Sequence, residues 1–141
     1  MSNPENHSPF DPELPDKVAS RRYWGRLHGS SRALALISAV EKSGKLIVVV
    51  TSDLNSSRQI LEELQFYKAT ESTYPILSFP DWETLPYDMF SPYQDIISQR
   101  LSTLVTVSIL ETGILVVPVS TAMHRLMPGD FLRASSLVLN K

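Results

Sequence analysis

Two short runs rich in β-branched residues punctuate the chain, 45–51 (KLIVVVT) and 114–119 (ILVVPV). Neither alternates polar with apolar positions, the pattern of a strand buried on both faces. Before the first run, Leu34, Ile37 and Val40 recur at helical spacing, with Leu36 and the small Ala33 and Ala35 beside them. That stripe predicts a helix capped by Ser30 or Ser31 and ended by Gly44 in a left-handed conformation. A second helix is predicted after Ser52 or Asp53, with Leu54, Ile60, Leu61 and Leu64 inward and Arg58, Glu62 and Glu63 outward. Residues 23–28 (YWGRLH) read as a short strand entering Gly29, and 74–79 (YPILSF) as a strand stopped by Pro80. A third helix is expected from about Tyr93, using Ile96, Ile97, Leu101, Leu104 and Val105 and broken by Gly113. After the 114–119 strand, a short helix from about Thr121 carries Met123 and Leu126. A turn at Pro128 and Gly129 then leads to a last strand at 135–139 (SSLVL).

Strands alternating with helices predict an α/β sandwich with a mostly parallel sheet and right-handed crossovers. Residues 1–16 hold Pro4, Pro9, Pro12 and Pro15, four of the ten prolines, and offer little apolar surface. They read as a disordered or extended arm, leaving 17–141 as one α/β domain. An apolar run at the very end of the chain predicts a segment cut from a longer protein.

Composition narrows the chemistry. The 141 residues are 43% hydrophobic and 20% charged, enough for a packed core and too apolar for general disorder. The net charge of −2 excludes a strongly basic nucleic-acid module as a description of the whole chain. With no cysteine, disulfide scaffolds, thiolate zinc sites and cysteine nucleophiles are excluded. The apolar runs fall far short of the roughly 20 residues a membrane span needs, and the polar start is no secretory signal. These features predict a cytoplasmic piece with no membrane partner.

Three local patterns are candidates for chemistry. Gly25 and Gly29, followed by Ser30, Ser31 and Arg32, stand where a phosphate-binding loop would lie. Such a loop needs G-x-x-x-x-G-K-[ST], so that backbone N–H groups cradle phosphates, the lysine reaches them and the hydroxyl holds magnesium. Here the glycine spacing is one short, Ser30 replaces the lysine, and only the hydroxyl position, Ser31, is matched. The loop reads either as a plain strand–turn–helix junction or as a weak anion site at a helix start. The second pattern is the acidic, aromatic stretch 81–95, with Asp81, Glu83, Asp88 and Asp95 among Trp82, Tyr87, Phe90 and Tyr93. Paired carboxylates suit acid–base work or magnesium, but no histidine is near and loop carboxylates are ordinarily solvated. The aromatics read as anchors of the loop to the sheet's carboxyl edge. Third, residues 17–45 carry seven basic residues against one acidic, which makes Arg21, Arg22, Arg26 and Arg32 candidate anion ligands or part of a solvated face. The histidines, His7, His28 and His124, show no metal spacing, and Ser120, Thr121 and His124 lack a nucleophile-elbow pattern.

The runs 81–101 (DWETLPYDMFSPYQDIISQRL) and 113–125 (GILVVPVSTAMHR) resemble the bacterial transcription-repair coupling factor family. The likeness rests on a D-W-E-T-L-P-Y-D loop, then S-P-x-Q-D-I-I-S-x-R-L, then V-P-V-x-T. It extends from about residue 20 to 141, with Met89 and Tyr93 as departures and the first 16 residues unmatched. Asp81, Trp82, Glu83, Tyr87, Asp88, Gln94, Asp95 and Arg100 are the motif positions and a candidate interaction surface. The resemblance implies domain 1a of a region similar to the damage-recognition (B) component of the excision nuclease. It implies a RecA-like (P-loop NTPase-like) sandwich whose nucleotide loop is degenerate, since the related B component carries Gly-Lys-Thr there. The Tyr-rich hairpin with which that component probes DNA has no counterpart. The ATP- and magnesium-dependent DNA translocase motor and the RNA polymerase-binding module are implied to lie elsewhere in the parent, as is most of the surface recruiting the A component of the excision nuclease. For this segment the resemblance implies a non-catalytic module with no cofactor, no metal and no catalytic residue. The residues alone leave two rivals: a nucleotide- or phosphate-binding enzyme domain, and a DNA-binding module using the basic 17–45 region.

Overall fold

The structure, a computed structural model, describes residues 8–82, 94–129 and 132. The elements run α1 (Ser31–Ser43), β1 (Leu46–Thr51), α2 (Leu54–Tyr67), β2 (Ile76–Ser78), α3 (Gln94–Ile109), β3 (Gly113–Pro118) and α4 (Val119–Ala122). The strands form a parallel sheet in the order β1-β3-β2. Parallel neighbours need long connections, and α2 and α3 supply them. The expected α/β architecture is present; the strand expected at 135–139 lies outside the described residues.

The core sits on one face of the sheet, under α1 and α2. Ala33, Ile37 and Val40 of α1 meet Ile60 and Leu64 of α2, Tyr74, and Ile114 and Val116 of β3. Register explains the strand contribution: Ile47 pairs with Ile114 and Val49 with Val116, so the side chains project to the same face. On the opposite face β3 is covered at Val117, whereas Val48 and Val50 of β1 are 53% and 57% exposed. Burial on both faces therefore holds for β3 but not for β1, because β1 is an edge strand among the described residues.

Local chemistry sets the element ends. Gly44 closes α1 with φ +61°, its N–H donating to Val40 O at 2.8 Å. Neither serine caps α1 through its side chain: Ser30 is helical, and the Ser31 hydroxyl donates to His28 O at 2.7 Å. Asp53 caps α2 from an extended conformation, its carboxylate accepting the Ser56 N–H at 2.8 Å. Hydrogen bonds from the Ser52 hydroxyl and from the Ser56 N–H and hydroxyl hold the Asp53 pKa at about 2, below the usual 3.8. A depressed carboxylate pKa contributes stability that is complete above the unfolded value and lost as pH falls through the folded one. Acid melting is therefore expected to show a component between 3.8 and about 2 that Asp53→Asn removes. Melting temperature against pH for both proteins checks this, and parallel curves would exclude the cap as its source.

Several expectations are corrected. Residues 23–28 form no strand: Arg26 is left-handed at φ +59°, and the Trp24 indole N–H donates to Glu13 O at 2.9 Å, which ties the segment to residues before it. β2 is shorter than 74–79, since Pro75 has no N–H. Pairing nonetheless continues past its bounds, from Ile114 N to Pro75 O and from Phe79 N to Val116 O, each 3.0 Å. Leu54 is 47% exposed, because it opens the first turn of α2 while the inward stripe is Ser57, Ile60 and Leu64. Leu101 is also exposed, and the buried positions of α3 are Arg100 and Thr103. The last helix starts at Val119, and Met123 and Leu126 lie beyond it, exposed. Gly113 does not break α3, which ends four residues earlier at Ile109; it opens β3. A Cβ there would stand 2.8 Å from Leu110 Cδ2 and 3.0 Å from Pro75 O, so the first residue of β3 must be small for β2 to approach.

Candidate functional site

In parallel α/β folds the carboxyl ends of the strands gather the loops that carry function. Here β2 runs out through Phe79, Pro80, Asp81 and Trp82, and β3 runs through Pro118 into α4. Arg100 enters this edge from α3 and is 3% exposed. Its guanidinium lies between two rings, 4.3 Å from the Phe79 centroid and 4.2 Å from that of Trp82. Nη1 donates to Pro80 O. A planar cation stacked on aromatic faces and hydrogen-bonded to a carbonyl is a use of arginine that lysine cannot copy. Burial lowers the Arg100 pKa and the charge of Asp81 opposes the shift. Asp81 receives the Trp82 N–H at 2.8 Å and the Ser120 hydroxyl at 3.4 Å, linking the end of β2 to the start of α4.

Asp81, Trp82 and Arg100 are therefore brought together from positions far apart in sequence. Gln94 and Asp95 stand apart, exposed in the first turn of α3, where Asp95 complements the helix dipole. Glu83, Tyr87 and Asp88 lie outside the described residues, as do Phe90 and Tyr93. Sequence reasoning missed Phe79, the Pro80 carbonyl and Ser120. The signal for the first two was an arginine on the inward stripe of α3, in step with Ile97 and Leu104, since a buried guanidinium requires partners. Chemically the cluster is a clamp: the cation cannot serve as a base, and its carboxylate neighbour is held by a backbone N–H. Among the described residues, no group of three or more His, Asp or Glu could hold a metal ion.

The Gly29 loop is arranged differently. Gly29 takes φ +54°, and the Ser31 N–H and hydroxyl both go to His28 O, at 3.2 and 2.7 Å. The one residue that matches a phosphate loop is thus engaged within its own turn. Arg32 is exposed and borders a cavity of about 270 Å³ with Thr51, Ser52 and Ser56, at the carboxyl end of β1. Arg26 and Arg32 share a second cavity of about 330 Å³ with Trp24 and Leu27. Arg21 lines neither, and Arg22 pairs with Glu13 at 3.7 Å and Asp16 at 3.4 Å, so the four candidate anion ligands do not converge.

Comparison with known proteins identifies the lineage. No protein-family model matches the chain. It is 37% identical over 128 residues to the transcription-repair-coupling factor of Escherichia coli and 38% identical over 135 residues to that of Haemophilus influenzae. These matches cover 91% and 94% of the chain and 11% of each relative. The transcription-repair-coupling factor of Rickettsia bellii is 32% identical over 95 residues, 67% of the chain and 8% of the relative. The chain thus spans about a tenth of the length of these relatives. Coverage of 94% exceeds what 17–141 alone makes up, so the likeness enters the arm that the sequence left unmatched. Among the described residues no helix is long and apolar enough to cross a membrane.

Proposed function

The chain belongs with the N-terminal region of the transcription-repair-coupling factors, and on that footing we propose that it is a non-catalytic scaffold module of such a protein. The observation that carries this reading is identity of 37% and 38% sustained over nearly the whole chain. In the parent, the module holds a surface against neighbouring domains while the rest of the protein acts. An ATP- and magnesium-driven motor displaces stalled RNA polymerase from damaged DNA, and another domain recruits the A component of the excision nuclease, in the cytoplasm. The module is a RecA-like sandwich whose phosphate loop is disabled. Ser30 in the lysine position and the Ser31 hydroxyl held by His28 O support this. The Asp81–Trp82–Arg100 clamp fixes the carboxyl edge of the sheet, where these three motif positions meet.

A chimera tests the reading. The matching segment of the Escherichia coli relative is replaced by this chain, and repair of a transcribed strand is measured in cells lacking the native factor. The chimera is expected to restore preferential repair, and to do so equally with Arg32→Ala. A chimera present at normal level that restores none overturns the module reading. One that works but fails with Arg32→Ala overturns the disabled loop.

A further inference from the structure

We infer that residues 8–16, a turn at 8–11 followed by an irregular run over 12–16, are a releasable strap in a groove made to hold an acidic peptide, and that the strap is the groove's resident occupant. Residues 1–16 carry Glu5, Asp11, Glu13 and Asp16 and no lysine or arginine, whereas 17–45 is strongly basic. The fold lays one against the other. Lys42 Nζ at the end of α1 reaches Asp11 Oδ1 at 2.5 Å and donates to Pro12 O at 3.4 Å. The Trp24 indole N–H donates to Glu13 O at 2.9 Å, and Arg22 pairs with Glu13 and Asp16. Pro12 is fully buried. Two cations and an indole donor thus read carboxylates and backbone carbonyls, a mode of recognition that fixes charge and backbone path more than side-chain identity.

The fit is incomplete. A cavity of about 670 Å³ remains between Leu14 and Pro15 of the strap and Trp24, Ala39, Leu46 and Ile47 of the body. The carboxylates and cations of the three ion pairs are all substantially exposed. Exposed pairs are weak and screened by salt. A segment held by these pairs, one buried proline and bonds to two backbone carbonyls, beside an apolar cavity, opens well below global unfolding. Once open, the groove presents Arg22, Lys42 and the Trp24 N–H above an apolar floor, and a peptide with similarly spaced carboxylates and apolar side chains competes for it.

The test uses the whole chain with Asp11→Asn, Glu13→Gln and Asp16→Asn, so that the strap loses its charges. The probe is a fluorescein-labelled peptide of residues 8–16, SPFDPELPD, followed by anisotropy. The substituted chain is expected to bind it at least tenfold more tightly than the native chain. Binding is expected to weaken with salt and to vanish for a peptide with lysines in place of the three acids. A substituted chain with native circular dichroism that ignores the peptide overturns the proposal, as does equal binding of both peptides. A native chain that dimerises with concentration by exchanging straps supports the proposal, since the groove then takes the same segment from a second copy. Should the substituted chain not fold, hydrogen exchange on the native chain decides: strap amides must exchange faster than those of α1 and accelerate with salt, and equal protection overturns the strap.

Discussion

Arg100→Ala is expected to lower the stability of the chain by about 3 kcal/mol, the scale for removing one member of a buried charged cluster. Three losses combine. The Phe79 and Trp82 rings lose the cation between them. The Pro80 carbonyl loses its donor. Asp81 loses the nearby positive charge while still accepting from Trp82 and Ser120. Truncation also leaves a void where a large side chain was 3% exposed. Arg100→Lys is expected to recover only a minor part, because an ammonium cannot stack flat between two rings and donate sideways at once. Urea denaturation followed by tryptophan emission measures both, with Trp82 reporting directly on the clamp. A midpoint unchanged in Arg100→Ala, or fully restored by lysine, would mean that the guanidinium geometry does not hold this edge together.

The same residue shows where sequence reading succeeds and where it stops. Periodicity places Ile37, Val40, Ile60 and Leu64 in the core because a helix facing a sheet repeats its contacts every turn, and the structure has them there. Gly44 and Asp53 were legible because caps are local chemistry, decided within four residues. Arg100 was legible only as a motif letter. Its partners Phe79 and Pro80 lie 20 residues and more away, and their meeting is a product of topology. β1 fails for a related reason: KLIVVVT has the composition of an interior strand, but its edge position among the described strands is set by which strand pairs with β3. Residues 23–28 carry strand-forming aromatics, yet the bond from Trp24 to Glu13 and the left-handed Arg26 hold them as an irregular segment beside the strap.

A paired substitution on α2 separates pattern from position. Leu54 and Leu64 are indistinguishable by the inward stripe read from sequence, yet Leu64 is fully buried in the α1–α2–β3 core and Leu54 is 47% exposed. Leu64→Ala is expected to cost about 3 kcal/mol, combining lost transfer energy with a cavity that Val40, Ile60 and Ile114 cannot close without leaving their own contacts. Leu54→Ala is expected to cost about 0.5 kcal/mol, as for a surface site away from packing. Thermal and urea unfolding of the two variants give the comparison. Equal losses would mean that α2 continues its apolar contact through its first turn, rotating the helix on the sheet. The cap bond from Ser56 N–H to Asp53 lies within that same first turn and fixes the direction in which the chain leaves β1. The large and unequal effects expected here therefore test the register of α2 on the sheet, with Leu64 inward and Leu54 at the solvent-facing start of the helix.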